Sequence, residues 1–212
     1  MEKNLLREIM TNIKKPELVA KRRVQIMKAA MDLFRKNGYH ATTMREICKK
    51  ARVNMGSFYD YFRSKEDILV YMYKEMMYGG KIFEGTFLGR KVAGWDDLEP
   101  FLKSIISESW NKNRNAIQLL YRETIALDKK TREEVMGIES AFVNWVAGKL
   151  RNGLGRSSVS RDLEVIANAI VFFSAFLPLR GWNMRNINQG KILNLIVKLL
   201  MAELREFRKD SW

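Results

Sequence analysis

Among its 212 residues the chain has a single cysteine and a single histidine. One thiol cannot build an intramolecular disulfide framework, so a reducing compartment is the simplest setting, and Cys48 reads as a small core residue of a helix. His40 has no second histidine and no carboxylate cluster beside it, which argues against a metal site or acid–base chemistry. A Gly-rich phosphate loop and paired metal ligands are also missing, so no enzyme, catalytic residue, cofactor or metal is expected. The start of the chain lacks an uninterrupted apolar signal segment. The longest apolar run, residues 165–179, contains Asn168 and ends at Pro178 and Arg180, short of the ~20 residues that a membrane span needs. These absences predict a cytoplasmic protein without a membrane segment. No internal repeat of roughly 20 to 50 residues occurs, which excludes a solenoid.

Disorder is excluded by an apolar content of 47%, and the length suffices for one large or two modest domains. The formal net charge is +14, and it is unevenly spread: residues 1–65 hold 16 Lys and Arg against 6 Asp and Glu. Such a balance marks a nucleic-acid-facing module followed by a more nearly neutral domain.

Residues 42–66, TTMREICKKARVNMGSFYDYFRSKE, organise the reading. Thr43 with Glu46 has the form of a capping box, which predicts a helix from Met44 with Ile47, Cys48 and Ala51 turned inward. Asn54 caps a second helix expected to run through Phe62, with Phe58 and Phe62 one turn apart on its inner side. Asn54, Met55, Ser57, Tyr59 and Tyr61 are then left outside. Gly56 costs about 1 kcal/mol of helix propensity, and close approach of the backbone to another surface would explain it. Ser64 with Asp67 starts a third helix and puts Lys65 on its first turn, where the helix dipole favours an anion such as phosphate. Two short helices joined by a tight turn are the layout of a helix-turn-helix DNA reader.

On these residues the chain resembles the TetR family of transcriptional regulators. The family's glycine, paired threonines and isoleucine appear as Gly38, Thr42, Thr43 and Ile47, and its next block appears as GSFYDYFRSKE, within a match over roughly residues 22–69. The resemblance implies that Thr43, Tyr59, Tyr61 and Lys65 hold phosphates and that Asn54, Met55, Gly56 and Ser57 lie against major-groove bases. Arg45, on the exposed side of the first motif helix, joins the DNA-binding set. Met55 stands where a polar residue is common, which suggests contact with a thymine methyl. Asp60 puts an acid near the DNA face unless Arg63 or Lys65 neutralises it.

Residues 1–15 form a basic amphipathic extension. It reads as a helix on its own domain, a basic arm toward DNA, or, less well, a membrane-surface helix. Val24, Met27, Met31 and Phe34 mark the first helix of the DNA-binding domain, residues 16–64, with Gly38 as its stop. The remainder, residues 65–212, is expected as a ligand-binding and dimerisation domain. Its first helix, from Lys65 to about Gly79, would belong to both halves. Residues 85–97 read as a loop and cap, 98–127 as two helices broken near Asn111–Asn115, and 130–154 as a long amphipathic helix. The last two helices, about 161–179 and 189–208, are apolar enough to form a four-helix bundle with those of a second chain. Ile192, Leu193, Ile196, Leu199, Leu200, Leu204 and Phe207 share one broad face of the final helix.

The fold expected is all-α, with about nine helices. The function expected is a ligand-responsive, sequence-specific repressor, a homodimer released from a palindromic double-stranded operator by an apolar or amphipathic small molecule. Trp110, Tyr121, Phe142, Trp145 and Phe173 are candidate pocket residues, with Arg122 as an anchor for an anionic group. Plain core packing, and for Arg122 a surface pair with Glu123, would use the same residues. A non-specific architectural DNA-binding protein is the alternative, although it would not need a large aromatic domain. The order of the later helices loosely resembles family members that sense fatty acyl thioesters.

Overall fold

The computed structural model describes residues 16–78, 90–125 and 127–209, and every regular element among them is helical. The expected N-terminal extension and the first part of the 85–97 loop lie outside the described residues. In chain order the helices are α1 (Pro16–Asn37), α2 (Met44–Ala51), α3 (Met55–Tyr59), α4 (Lys65–Tyr78), α5 (Leu98–Lys112), α6 (Arg114–Thr124), α7 (Lys129–Gly153), α8 (Arg161–Arg180) and α9 (Gln189–Lys209). Single 3-10 turns at Trp95–Asp97 and Gly181–Asn183 precede α5 and follow α8.

Local chemistry sets the boundaries of the first three helices. Gly38 takes a φ of +85°, a region costly for any residue with a Cβ, and so turns the chain out of α1. Thr42 then donates its hydroxyl to the Gly38 carbonyl at 2.7 Å, closing the turn. Arg52 ends α2 with a φ of 53°, and Gln25 of α1 donates to the freed carbonyl of Ala51 at 2.6 Å. Ile26, Met27, Phe34, Ile47, Phe58 and Phe62 fill the space between these helices and are fully buried or nearly so. Helix α3 is shorter than expected. It ends at Tyr59, and the amides of both Tyr61 and Phe62 return to the Phe58 carbonyl, at 2.9 and 3.1 Å. That tightening turns Tyr61 inward.

Helix α4 crosses from the first unit into the second, meeting α1 on one side and α6 and α7 on the other. The break between α5 and α6 falls at Asn113, as the sequence predicts. Helix α8 lies at the centre, packed on α5, α6, α7 and α9. By length and composition Arg161–Asn183 is apolar enough to cross a membrane, contrary to the expectation from its apolar run, because Asn168 and Pro178 do not interrupt the helix. Half of that apolar window is buried by the protein's own helices. Pro178 brings no N–H to the helix ladder, and carbonyls in this last stretch of α8 take side-chain donors from α5 and α6. Trp110 Nε1 donates to Phe173 at 2.9 Å, Arg114 to Leu177 at 3.2 Å and Gln118 to Pro178 at 2.6 Å.

The final helix has two apolar faces rather than one. Ile192, Ile196, Leu200 and Leu204 point into the core, whereas Leu195 and Leu199 are 59% and 60% exposed. Val165 and Phe172 of α8 are exposed as well, at 68% and 53%.

The end of α7 meets the start of α5 at Gly153. A Cβ there would lie 2.4 Å from Cδ2 and 2.6 Å from Cγ of Leu98, which is fully buried. Gly153→Ala should therefore destabilise the protein by about 1–3 kcal/mol. Gly148→Ala on the same helix, with nothing within 4 Å of the added methyl, should stabilise it by up to about 1 kcal/mol. Urea unfolding of the two variants measures both.

Candidate nucleic-acid interface and interior cavity

The α2–turn–α3 unit is capped at both helix starts. Thr43 and Glu46 form the reciprocal box, with Thr43 N–H donating to Glu46 Oε2 at 2.7 Å and Glu46 N–H to Thr43 Oγ1 at 3.3 Å. The Thr43 amide stabilises the ionised form and holds the Glu46 carboxyl below its usual range. Asn54 Oδ1 accepts from Ser57 N–H at 2.7 Å, which fixes the first turn of α3.

Of the nine expected DNA contacts, Thr43, Arg45, Asn54, Gly56 and Tyr59 are exposed, and Met55 and Ser57 are half-buried. Met55 leans toward the core, with its sulfur 3.3 Å from Cys48 Sγ. Two placements need correction. Tyr61, expected outside, is only 5% exposed, because the tight turn after α3 folds it against the module. Lys65, expected to present its ammonium to phosphate, is half-buried and directs it at the preceding turn. Its Nζ donates to the Tyr39 and Thr42 carbonyls at 3.0 and 2.9 Å and sits 4.7 Å from the Tyr39 ring centroid. Tyr39 in turn donates its hydroxyl to Glu66 at 2.7 Å, and burial, then this bond, push its pKa far up. Residues 39–42 are thus fastened to the first turn of α4, a link that spacing along the chain does not reveal. Beside it His40 approaches Glu123 of α6 at 4.0 Å, and Arg122 pairs with the same carboxylate at 2.7 Å.

Behind this unit lies a cavity of about 30 Å³, measured as the space open to the centre of a water molecule. Met76 and Met77 of α4, Ile117 of α6, Phe142 of α7 and Val171 and Ala175 of α8 make its apolar walls. Ser109, Asn113, Tyr121 and Ser174 are its polar residues. Burial, with Glu139 adding to it, pushes the Tyr121 hydroxyl up to about 12, so it stays protonated at neutral pH.

Two of the six residues expected in a pocket, Tyr121 and Phe142, line this space. Trp110 instead caps the α8 carbonyl of Phe173, and Phe173 packs against Phe172 and Phe176. Trp145 stacks on the outer side of Phe142, with ring centroids 5.6 Å apart, under the ammonium of Lys149. Arg122 is largely exposed and held by Glu123. The residues that sequence reasoning missed carry one usable signal: Ser109, Asn113 and Ser174 are polar and buried in helical stretches that are otherwise apolar inside.

A capped helix-turn-helix unit in front of a separate helical bundle is the build of a DNA-binding regulator. Residues 26–72 match the family model described as bacterial regulatory proteins, tetR family. The chain is 30% identical over 173 residues to the transposon Tn10 TetC protein of Escherichia coli, covering 78% of this chain and 83% of that one. It is 26% identical over 191 residues to the fatty acid metabolism regulator protein of Bacillus subtilis (strain 168), covering 84% and 93%. It also shares its fold with the crystal structure of the transcriptional regulator FadR from Bacillus subtilis in complex with stearoyl-CoA, with a TM-score of 0.65, 24% identity and coverage of 84% and 97%. The chain belongs to the TetR family of transcriptional regulators.

Gly56 and Lys65 separate recognition from folding. A Cβ on Gly56 would meet only Asn54 Oδ1, at an ordinary 3.5 Å. Gly56→Ala should leave the fold as stable as before, or stabilise it by up to about 1 kcal/mol, while weakening specific DNA binding by about tenfold or more. Thermal unfolding and operator titration of one preparation would show both effects. Lys65→Ala should cost about 1–3 kcal/mol in urea unfolding without DNA present. Wild-type stability combined with weakened DNA binding would return Lys65 to a phosphate-binding role.

Proposed function

We propose that the chain is a dimeric repressor that binds a palindromic operator and leaves it when an acyl thioester enters the cavity. The exposure of Thr43, Arg45, Asn54, Gly56 and Tyr59 on one capped helix-turn-helix unit, within the strongly basic third of the chain, carries this reading. Thr43, Arg45 and Tyr59 would hold phosphates. Asn54, Ser57, the accessible part of Met55 and the Gly56 backbone would face the bases. Tyr61 and Lys65 would support the unit from within.

The outward Val165 and Phe172 of α8 and Leu195 and Leu199 of α9 supply an apolar face that a second copy would cover. A dimer built there has two-fold symmetry, and its reading helices would meet half-sites about 34 Å apart. The effector class is taken from the relatives, since the Bacillus subtilis regulator is described with stearoyl-CoA bound and the cavity walls here are apolar. About 30 Å³ accommodates roughly one water and no acyl chain, so an effector must part the helices around it. Effector-bound and effector-free protein are then different states, as release from DNA requires. Such a regulator works where the chromosome is, in the cytoplasm.

Selection from random duplex DNA at near-physiological salt should enrich a two-fold symmetric site, bound about a thousandfold or more tighter than scrambled DNA. Stearoyl-CoA should release that complex. Leu199→Glu should sediment as a monomer and lose most operator affinity. An asymmetric site, or a Leu199→Glu protein that remains dimeric, would overturn the dimer; a complex indifferent to stearoyl-CoA, to shorter acyl-CoA thioesters and to chain-substituted ones would overturn the effector class.

A further inference from the structure

Asn113 stands at the junction of α5 and α6, where an asparagine commonly turns its side chain onto the following backbone N–H. Here it makes no such bond. Its backbone carries the junction instead, with the amide donating to Ser109 and the carbonyl accepting from Ile117. The side chain is enclosed, the residue being only 4% exposed, and its Oδ1 has no hydrogen-bond partner. It lines the cavity beside Ser109 and Ser174. Each of those serines donates its hydroxyl to its own helix, to Ile105 at 2.9 Å and to Ile170 at 3.1 Å, so each hydroxyl proton is already committed. What all three oxygens retain is acceptor capacity. Donors do occur in the lining, on the Tyr121 hydroxyl and the Asn113 amide nitrogen, but none of them reaches Asn113 Oδ1.

Oδ1 is almost inaccessible to water and is already unpaired while the cavity is unfilled. A chain that parts the helices opens it, and a saturated alkyl chain offers it no donor. The bound state then keeps an unpaired acceptor against hydrocarbon, so a plain chain gains nothing at this point. A hydroxyl on the chain removes that penalty, because its proton goes to Oδ1 while the carbons on either side meet Met76, Met77, Ile117 and Val171. A ketone at the same carbon brings an acceptor, which cannot pair with Oδ1.

Resting on the reading of this cavity as an acyl-thioester site, we infer that Asn113 selects effectors whose acyl chain carries a hydroxyl group over plain saturated ones. Discrimination by a buried hydrogen-bonding group is asymmetric in this direction: a site built to pair a hydroxyl rejects the analogue that lacks it more strongly than an apolar site rejects an added hydroxyl.

The test is isothermal titration of the full-length wild-type protein and Asn113→Leu with four probes: hexadecanoyl-CoA, 3-hydroxyhexadecanoyl-CoA, 16-hydroxyhexadecanoyl-CoA and 3-oxohexadecanoyl-CoA. The two hydroxylated probes bracket the chain from its thioester to its far end. In wild type, at least one of them should bind about tenfold or more tighter than both the unsubstituted and the oxo probe. Asn113→Leu should close that gap by weakening the hydroxylated probe and tightening the plain one. Asn113→Ala serves where the leucine variant does not fold, and the wild-type comparison stands without either. Equal binding of all four probes, or a preference that survives in the variants, overturns the selection by Asn113 and leaves the acyl-thioester reading intact. Binding of none of them overturns both.

Discussion

The ammonium of Lys65 is the point on which the two halves of the protein depend. It sits at the start of α4, between the Tyr39 and Thr42 carbonyls and against the Tyr39 ring. A half-buried lysine without partners would be costly, and carbonyls freed by a turn would be equally unsatisfied; together they settle each other's demand. The turn at residues 38–43 is what places Thr43 and so begins α2. Holding that turn from α4 means that the orientation of the DNA-reading unit is fixed by a helix that also builds the cavity wall. His40 against Glu123 and the hydroxyl contact between Tyr73 and Thr124 reach the same region from α6. The interface between the halves is thus polar at its rim and apolar beneath, with Ile68, Leu69 and Met72 fully buried.

Helix α8 imposes the second constraint. A proline inside a buried helix would leave a carbonyl without its N–H partner, and nearby carbonyls of α8 are met by the donors of Trp110, Arg114 and Gln118, spaced four residues apart along α5 and α6. The spacing matters because α5 and α6 are separate helices, interrupted at Asn113. These bonds keep the pair aligned as one wall beside α8 despite the interruption. Gly181 leaves room beside it: a Cβ there would lie 2.4 Å from the Arg114 guanidinium nitrogen and would push that group aside. The break at Asn113 can therefore turn a polar side chain into the cavity without loosening the wall.

Which parts of this were legible in the sequence follows from the range of the interactions. Thr43 with Glu46, Asn54 with Ser57, and Gly38 after α1 act within one turn of helix, and their chemistry is written in adjacent residues. The helix count, the break at Asn113 and the all-α class followed from local periodicity and caps in the same way. Lys65 and Tyr61 were misplaced, and the inward lean of Met55 was not foreseen, because their partners are decided in three dimensions: two carbonyls from an earlier turn, a reverse turn tighter than a regular helix, and a thiol on the neighbouring helix. The cavity was the least legible part. Aromatic side chains drew attention there, yet Trp110, Trp145 and Phe173 spend their surface on packing or on a carbonyl. The lining belongs largely to methionines, small residues and buried serines, whose types do not distinguish a cavity wall from a core.

The geometry of α4 carries a consequence for how the cavity and the reading unit could communicate. Its 14 residues make a rod about 21 Å long, with Lys65 at one end and Met76 and Met77 near the other. Ile68, Leu69, Met72 and Tyr73 grip its middle. A ligand that pushes Met76 and Met77 outward can move a rod held at its centre chiefly by tilting it, which carries the Lys65 end the opposite way. Hydrogen bonds near 3 Å weaken steeply when stretched by an ångström, so Lys65 must either drag residues 39–42 along or release them. Either outcome reorients α2 and α3, and in the proposed dimer it does so relative to a two-fold axis through α8 and α9. For a dimer that must match half-sites of fixed separation, even a small tilt in each subunit is costly, because both units have to fit the same duplex at once. Under the proposed function the cavity need not reach the DNA face to control it; it needs only to be closed by the helix that holds the turn.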